Sequence, residues 1–384
     1  MTFFYCKKCL MPSTRPRIEF NKEGVCNGCT YTKKMQTFDW SKRWKELEQL
    51  CGKYCGNGTD WDMIIPFSGG KDSYHIAHNF KQLGMKPLLV KLAAMIPSKI
   101  GFRNEQNIRK HGFDLIVVYP DDEYRRYNKI GLVEQGRPWL AFETGITTAV
   151  IKLAIGLGIK WICYGEEGET IYGGRTDYLK SGFDSQHGVN RKWIVDTYFS
   201  GNDTSKAKLN TPLWKLPTQK ALNDAGIFYT HWSHFSDYDP EKHLRTAKEL
   251  GFESFPKSPE DGVTGFGTFT DYTSLDDPWM RTFNTYLMFL KFGFGRGAHE
   301  ATTEIRYGRI TRDEGEELAE YYDDYDCIDF WDKLAEYYGV DGKELEKICD
   351  SHANKSILYK DRGVWFLRPE INFGLTMENP YDLS

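Results

Sequence analysis

The sequence predicts an α/β protein in which a parallel sheet is covered by helices, with a short cysteine-rich head and a mainly helical tail. Three observations carry that expectation. Between about residues 60 and 235, short continuous apolar runs alternate with amphipathic stretches of helical period. Strands buried on both faces by crossover helices read this way. Residues 1–35 hold two Cys-x2-Cys pairs and few periodic apolar positions, and beyond 236 the periodicity is mainly helical. The expected divisions are a head at 1–35, a linking helix within 36–59, the α/β unit at 60–235 and the helical region at 236–384.

Each element follows in chain order. Residues 41–55 place Trp44, Leu47, Leu50 and Cys51 on one helical face, with Ser41 as the expected N-cap and Gly56 as a stop. Strands are expected at 62–67, 87–92, 114–119 and 160–164, and helices between them at 72–83, 102–111 and 144–157. The tail reads as helices at 239–250, 277–292, 311–323, 326–338 and 341–353.

Bulk properties narrow the function classes. A chain of 384 residues with 40% hydrophobic and 27% charged residues is long and apolar enough for a large core or two to three domains. Its net charge of −4 argues against a long nucleic-acid track, which is usually basic. No run approaches the roughly 18 apolar residues that a membrane span needs. No secretory pattern opens the chain. Nine unevenly spaced cysteines fit a reducing compartment, so a cytoplasmic location is expected.

Cys6-x2-Cys9 and Cys26-x2-Cys29 form two knuckles of the spacing that presents four thiolates tetrahedrally, which suits a structural Zn²⁺. With so little apolar content in 1–30, the metal is expected to supply most of the folding free energy there. Cys51 and Cys55, four apart without His nearby, read as packing residues.

The chemistry centres on Pro66-Phe67-Ser68-Gly69-Gly70-Lys71-Asp72-Ser73. A Walker A loop would need Gly where Ile65 stands and Ser or Thr where Asp72 stands. The dinucleotide fingerprint fails too, because Gly69 and Gly70 are adjacent. A strand, this turn and a helix make a pyrophosphate cradle: glycines admit backbone N–H groups, Ser68 and Ser73 add hydroxyls, and the helix N-terminus adds positive potential. Asp72 would repel bare phosphate and so implies Mg²⁺ between carboxylate and nucleotide. Lys71 is a candidate for neutralising phosphate charge. The strand at 160–164 ends in Gly165-Glu166-Glu167-Gly168-Glu169, where one or more of Glu166, Glu167 and Glu169 is expected to share that Mg²⁺, with Glu167 as a catalytic candidate.

This turn resembles the PP-loop of the N-type ATP pyrophosphatases, whose HUP-like α/β domains cleave ATP between the α- and β-phosphates. The whole chain resembles the N-acetyl sugar amidotransferases of bacterial surface-polysaccharide (lipopolysaccharide and O-antigen) and nonulosonic-acid pathways. The matching stretches are 6–18, 24–29, 66–73, Thr144-Gly145-Ile146 and 291–314. The resemblance implies an ATP-dependent ligase that adenylylates an acetamido oxygen and lets ammonia displace AMP, leaving an acetamidino group. It adds Thr144, Gly145 and Gly165 to the ATP-binding candidates. The segment 137–143 is expected to face the acceptor. His299, Glu300, Glu304, Arg306 and Arg309 form a polar cluster suited to an acidic sugar, or alternatively an interdomain salt-bridge cluster. Position 2 is Thr and no Gly-x-Cys-x-Gly elbow is present, so ammonia is expected from a separate glutaminase resembling the two-subunit imidazole glycerol phosphate synthase. Two alternatives stay open. One is a tRNA-thiolating PP-loop enzyme, for which Cys163 would be the relevant thiol; the other is a non-catalytic nucleotide-binding adaptor.

Overall fold

Five strands make one parallel sheet: Met63–Pro66, Pro87–Leu92, Asp114–Val118, Trp161–Tyr164 and Phe228–His231. The computed structural model describes residues 2–56, 60–165, 168–174, 189–197, 210–255, 267–323 and 331–383. Across the sheet the strands run 114–118, 87–92, 63–66, 161–164, 228–231. The order therefore reverses between 63–66 and 161–164. In open α/β sheets the carboxyl ends of the strands at such a reversal leave a crevice for ligand.

Side chains alternate across the pleat. Ile64, Leu88, Val90 and Ile162 face helix Leu140–Leu157, while Met63, Ile65, Leu89 and Trp161 face helices Trp40–Tyr54, Lys71–Gln82 and Lys99–Lys110. Helix Pro240–Glu249 joins the second face through Ala247. Helix Leu140–Leu157 is long and apolar enough to cross a membrane, which the sequence reading did not anticipate. Its Ala149, Val150, Ile151 and Ala154 are instead buried in the sheet's core cluster.

Caps explain where expected and observed boundaries part. The linking helix starts at Trp40 and is capped by Asp39, whose carboxylate accepts the Lys42 N–H at 2.9 Å, not by Ser41. The helix expected at 102–111 begins at Lys99, because the Ser98 hydroxyl accepts the Gly101 N–H at 2.9 Å. Helix Asp122–Gln135 escapes an apolar-periodicity search. Its buried face has helical spacing, but Tyr124, Tyr127, Asn128 and Gly131 precede the one aliphatic residue, Leu132.

The tail contains helices Pro278–Phe292, Arg296–Arg306, Arg312–Tyr322, Trp331–Tyr338 and Gly342–Ser351. It ends in a hairpin, Leu358–Asp361 with Val364–Leu367. Thr2–Phe3 pairs antiparallel with Tyr381–Asp382, and Phe3 and Tyr5 pack with Phe283, Leu287 and Leu290. The four head cysteines are buried with Phe294, Ala298, Ala301 and Ala319. The head thus shares an apolar core with the tail, a source of stability beside the expected metal.

Candidate active site

The Gly-Gly turn sits at the carboxyl end of strand 63–66, beside the reversal of strand order. The Phe67 N–H donates to Val90 O at 2.8 Å and carries the strand one residue further. Gly69 has φ +79°, and a Cβ there would lie 3.2 Å from Lys91 Nζ. Gly70 caps helix Lys71–Gln82 with no side-chain hydrogen bond, leaving the early helix N–H groups without a side-chain acceptor. The Ser68 hydroxyl accepts the Gly70 N–H at 3.3 Å, and the Ser73 hydroxyl donates to Gly70 O at 2.8 Å.

Charge is concentrated at the start of that helix. Lys71 Nζ lies 2.9 Å from Asp72 Oδ2 and 4.8 Å from the Tyr272 ring centroid. The opposite oxygen, Oδ1, is 2.7 Å from His243 Nδ1. Burial alone would raise the Asp72 pKa, but the Lys71 ammonium and His243 hold it well below the ordinary carboxylate value. An ionised carboxylate only accepts, so His243 Nδ1 carries the hydrogen. The His243 ring stacks on His75 at 4.1 Å, and Nε2 of each is buried without a hydrogen-bond partner. Burial pushes His75 down to about 3, so it is neutral near pH 7. Beneath the turn, buried Lys91 lies 3.4 Å from Glu105 and 3.6 Å from Asp276.

His243, His75 and Lys91 were not anticipated. His243 comes from a helix 171 positions beyond Asp72, which no local motif reveals. Lys91 does leave a signal: it is the one charge in the buried strand Pro-Leu-Leu-Val-Lys-Leu.

Across the crevice, Gly165 O accepts the Ser233 N–H at 3.3 Å. Glu166 and Glu167 lie outside the described residues, and Glu169 falls in helix Gly168–Tyr172. Thr144 and Gly145 are buried within helix Leu140–Leu157. The Thr144 hydroxyl donates to Leu140 O at 3.0 Å, and a Cβ on Gly145 would meet Leu92 at 3.0 Å. They pack the helix against the end of strand 87–92, and their neighbours Glu143, Ile146 and Thr147 line the adjoining cleft. Cys163 is fully buried, and burial pushes its thiol up to about 12. A buried thiol of this kind is poorly placed to act as a nucleophile.

The cleft, about 700 Å³, opens over the ends of strands 161–164 and 228–231 between the head, helix Leu140–Leu157 and helix Pro278–Phe292. None of residues 66–73 forms its described walls, so cradle and cleft are adjacent places. Among the described residues, Arg15, Arg17, Arg137 and Lys291 line it with one carboxylate, Glu143, and Trp139 and Phe142 supply aromatic faces. Glu143 pairs with Arg137 and accepts the Trp139 indole N–H at 3.0 Å. The segment 137–143 thus does border an open cleft. Tyr172 contributes to a second, smaller cavity with Lys71 and Glu304.

The polar cluster of the tail divides. His299 lines both the cleft and the smaller cavity, and its Nδ1 is buried without a partner. Burial and the nearby Arg296 hold it well below its ordinary pKa, so it is neutral. Glu300 is enclosed by Arg296 at 2.9 Å and the hydroxyls of Thr268, Thr270 and Thr273 at 2.6, 3.0 and 2.9 Å. Glu304 pairs with Arg309 at 3.1 Å. The Arg306 guanidinium turns away from the cleft, to Ile171 O at 3.0 Å and Cys26 Sγ at 3.5 Å. Of the five residues the sequence grouped, Glu304 and Arg309 pair with each other, and Glu300 and Arg306 answer to other internal partners.

The sulfurs of Cys6, Cys9, Cys26 and Cys29 lie within 4.8 Å of one another. Cys9–Cys26 is 3.7 Å and Cys6–Cys29 is 4.0 Å. A tetrahedron of Zn–S bonds of about 2.3 Å has edges of about 3.8 Å, so the cluster fits zinc. The N–H groups of Lys8 and Cys26 point at Cys6 Sγ, 3.4 and 3.2 Å away.

Residues 266–371 match the family described as LPS biosynthesis protein WbpG-like, C-terminal domain. No curated protein matches. Among solved structures, a predicted subunit of tRNA methyltransferase from Methanocaldococcus jannaschii is similar at 18% identity over 49% of this chain and 75% of its own, with a TM-score of 0.28. NMN synthetase from Francisella tularensis is similar at 11% identity over 58% of this chain and 99% of its own, with a TM-score of 0.24. Both likenesses are weak, and the fold assignment rests on the sheet itself.

Proposed function

We propose that the chain is an ATP-dependent, AMP-forming amidotransferase in lipopolysaccharide synthesis. It activates the acetamido oxygen of an N-acetyl sugar and replaces it with nitrogen. The carrying observation is the uncapped helix N-terminus behind Ser68-Gly69-Gly70 at the reversal of strand order, with ionised Asp72 beside it. The match of 266–371 to a lipopolysaccharide-synthesis domain supports the setting.

In this reading the backbone N–H groups around Gly70 and the Lys71 ammonium hold the ATP phosphates. The acetamido oxygen attacks the α-phosphorus, the bond to the β-phosphate breaks, and pyrophosphate leaves. Loss of the amide proton gives an O-adenylyl imidate. Ammonia adds to its carbon, the C–O bond to AMP breaks, and an amidine remains. Asp72, an ionised carboxylate with 26% of its side chain exposed, suits Mg²⁺, with one or more of Glu166, Glu167 and Glu169 completing the donors. That ion would screen phosphate charge. The acceptor occupies the cleft, its anionic group toward Arg15, Arg17 and Lys291 and its ring against Trp139 and Phe142.

Ammonia comes from separate glutaminase subunits. Among the described cysteines outside the zinc cluster, Cys51, Cys163 and Cys349 are buried. Exposed Cys55 donates to Gly84 O at the opposite, amino end of the sheet. The test supplies ATP, Mg²⁺ and ammonium with free and nucleotide-linked N-acetyl sugars. AMP and pyrophosphate should form only with an acceptor, whose mass changes by replacement of O with NH. If no acceptor stimulates AMP formation, the reading fails.

A further inference from the structure

We propose that the cysteine cluster does more than fold the head: through Arg306 it positions helix Gly168–Tyr172, the segment that follows Gly165 at the edge of the crevice. Four thiolates around Zn²⁺ carry excess negative charge in a buried place, which needs a cation beside it. Arg306, the last residue of helix Arg296–Arg306, supplies one: its Nη2 lies 3.5 Å from Cys26 Sγ and 3.8 Å from Cys9 Sγ. The same guanidinium donates through Nη1 to Ile171 O at 3.0 Å.

Two further contacts join head and segment. The Asn27 amide donates to Gly174 O at 2.5 Å, and the Arg15 guanidinium donates to Gly173 O. Cluster and head therefore hold the carbonyls of Ile171, Gly173 and Gly174, groups that a helix end leaves unpaired and that favour cationic partners. Two glycines make the fit possible. A Cβ on Gly28 would lie 2.4 Å from Arg306 Nη2. Gly173 has φ +82°, and a Cβ there would lie 2.8 Å from both Asn27 Oδ1 and Gly28 N. A Cβ on Gly28 would displace the Arg306 guanidinium, and one on Gly173 would press on the backbone of the head.

Zinc, Arg306 and the crevice edge thus form one mechanical chain. Its consequence for turnover rests on reading the chain as an AMP-forming enzyme; the link itself does not. Hydrogen exchange of the full-length protein, with and without a zinc chelator, tests it. Removing zinc should speed exchange in 168–174 while strands 63–66 and 87–92 keep their protection. Arg306→Met should do the same and release zinc to a chromogenic chelator about tenfold faster, with Arg306→Lys partly restoring retention. Gly173→Ala leaves every thiolate and Arg306 in place and should also hasten zinc release. Unchanged exchange at 168–174 after zinc removal, or unchanged zinc release from both Arg306→Met and Gly173→Ala, overturns the link. If wild-type protein forms no AMP with any acceptor, the functional reading falls and the exchange result still decides the link.

Discussion

The turn at 66–73 and the cluster at 299–309 look alike in sequence, both dense in polar and charged residues beside glycine, yet their side chains are committed differently. The turn leaves backbone donors open: no side chain caps its helix, while Lys71 and Asp72 at the first turn pair with each other at 2.9 Å. In the tail, Glu300 is bound on every side by Arg296 and three threonines, and Glu304 and Arg309 answer one another. Polar density marks either a site or a strut; what separates them is whether the donors are already used.

That difference can be broken by experiment. Asp72→Ala should have the largest effect, cutting AMP formation by on the order of a hundredfold to a thousandfold, as loss of a preorganised charged group does. Its loss of stability, measured alongside turnover, should be smaller than that of Glu300→Gln, because the Asp72 side chain is 26% exposed and that of Glu300 7%. Glu300→Gln should do the reverse. It leaves the Arg296 charge uncompensated, and denaturant unfolding should show a loss of roughly 3 kcal/mol. Burial alone would raise the Glu300 pKa, but Arg296 and the Thr268 and Thr273 hydroxyls hold it below the ordinary 4.5. A depressed folded value means this stability is present above the ordinary value and is lost as pH falls through the folded one. Wild type should therefore lose stability on acidification below about pH 4.5 by a component that Glu300→Gln lacks.

His243 lies between the two regions, since the tail side contributes it to the cradle. His243→Asn keeps a donor near the Nδ1 position and His243→Gln does not. The Gln variant should lose about tenfold more kcat than the Asn variant, matching one hydrogen bond to a charged group. Equal losses in both would make His243 a packing residue. Gly69→Ala should have the smallest effect, roughly 1 kcal/mol of stability from its φ of +79°. Raised KM for ATP in that variant would show that the backbone there approaches the nucleotide.

Much of the fold was legible because its signals are short-range. Strand and helix periods, the Gly-Gly turn and the cysteine spacing each fit within about thirty residues. The strand order, which alternating elements do not fix, places Ser68-Gly69-Gly70 at the reversal point. What escaped reading was long-range or atypical. Helix Asp122–Gln135 buries tyrosines and an asparagine where a periodicity search seeks aliphatics. The Thr2–Phe3 pairing with Tyr381–Asp382 joins opposite ends of the chain. Arg306 showed its charge in the sequence, but its partners, Cys26 and Ile171, lie 280 and 135 positions away.

In the proposed reaction the cradle at 66–73 serves attack of an acetamido oxygen on the α-phosphorus of ATP. The most direct measurement supplies an N-acetyl sugar acceptor carrying an isotopic oxygen label in its acetamido carbonyl, with ATP, Mg²⁺ and ammonium, and analyses the nucleotide products by mass spectrometry. AMP bearing the label should form, together with pyrophosphate. Unlabelled AMP, or ADP with inorganic phosphate, would contradict it.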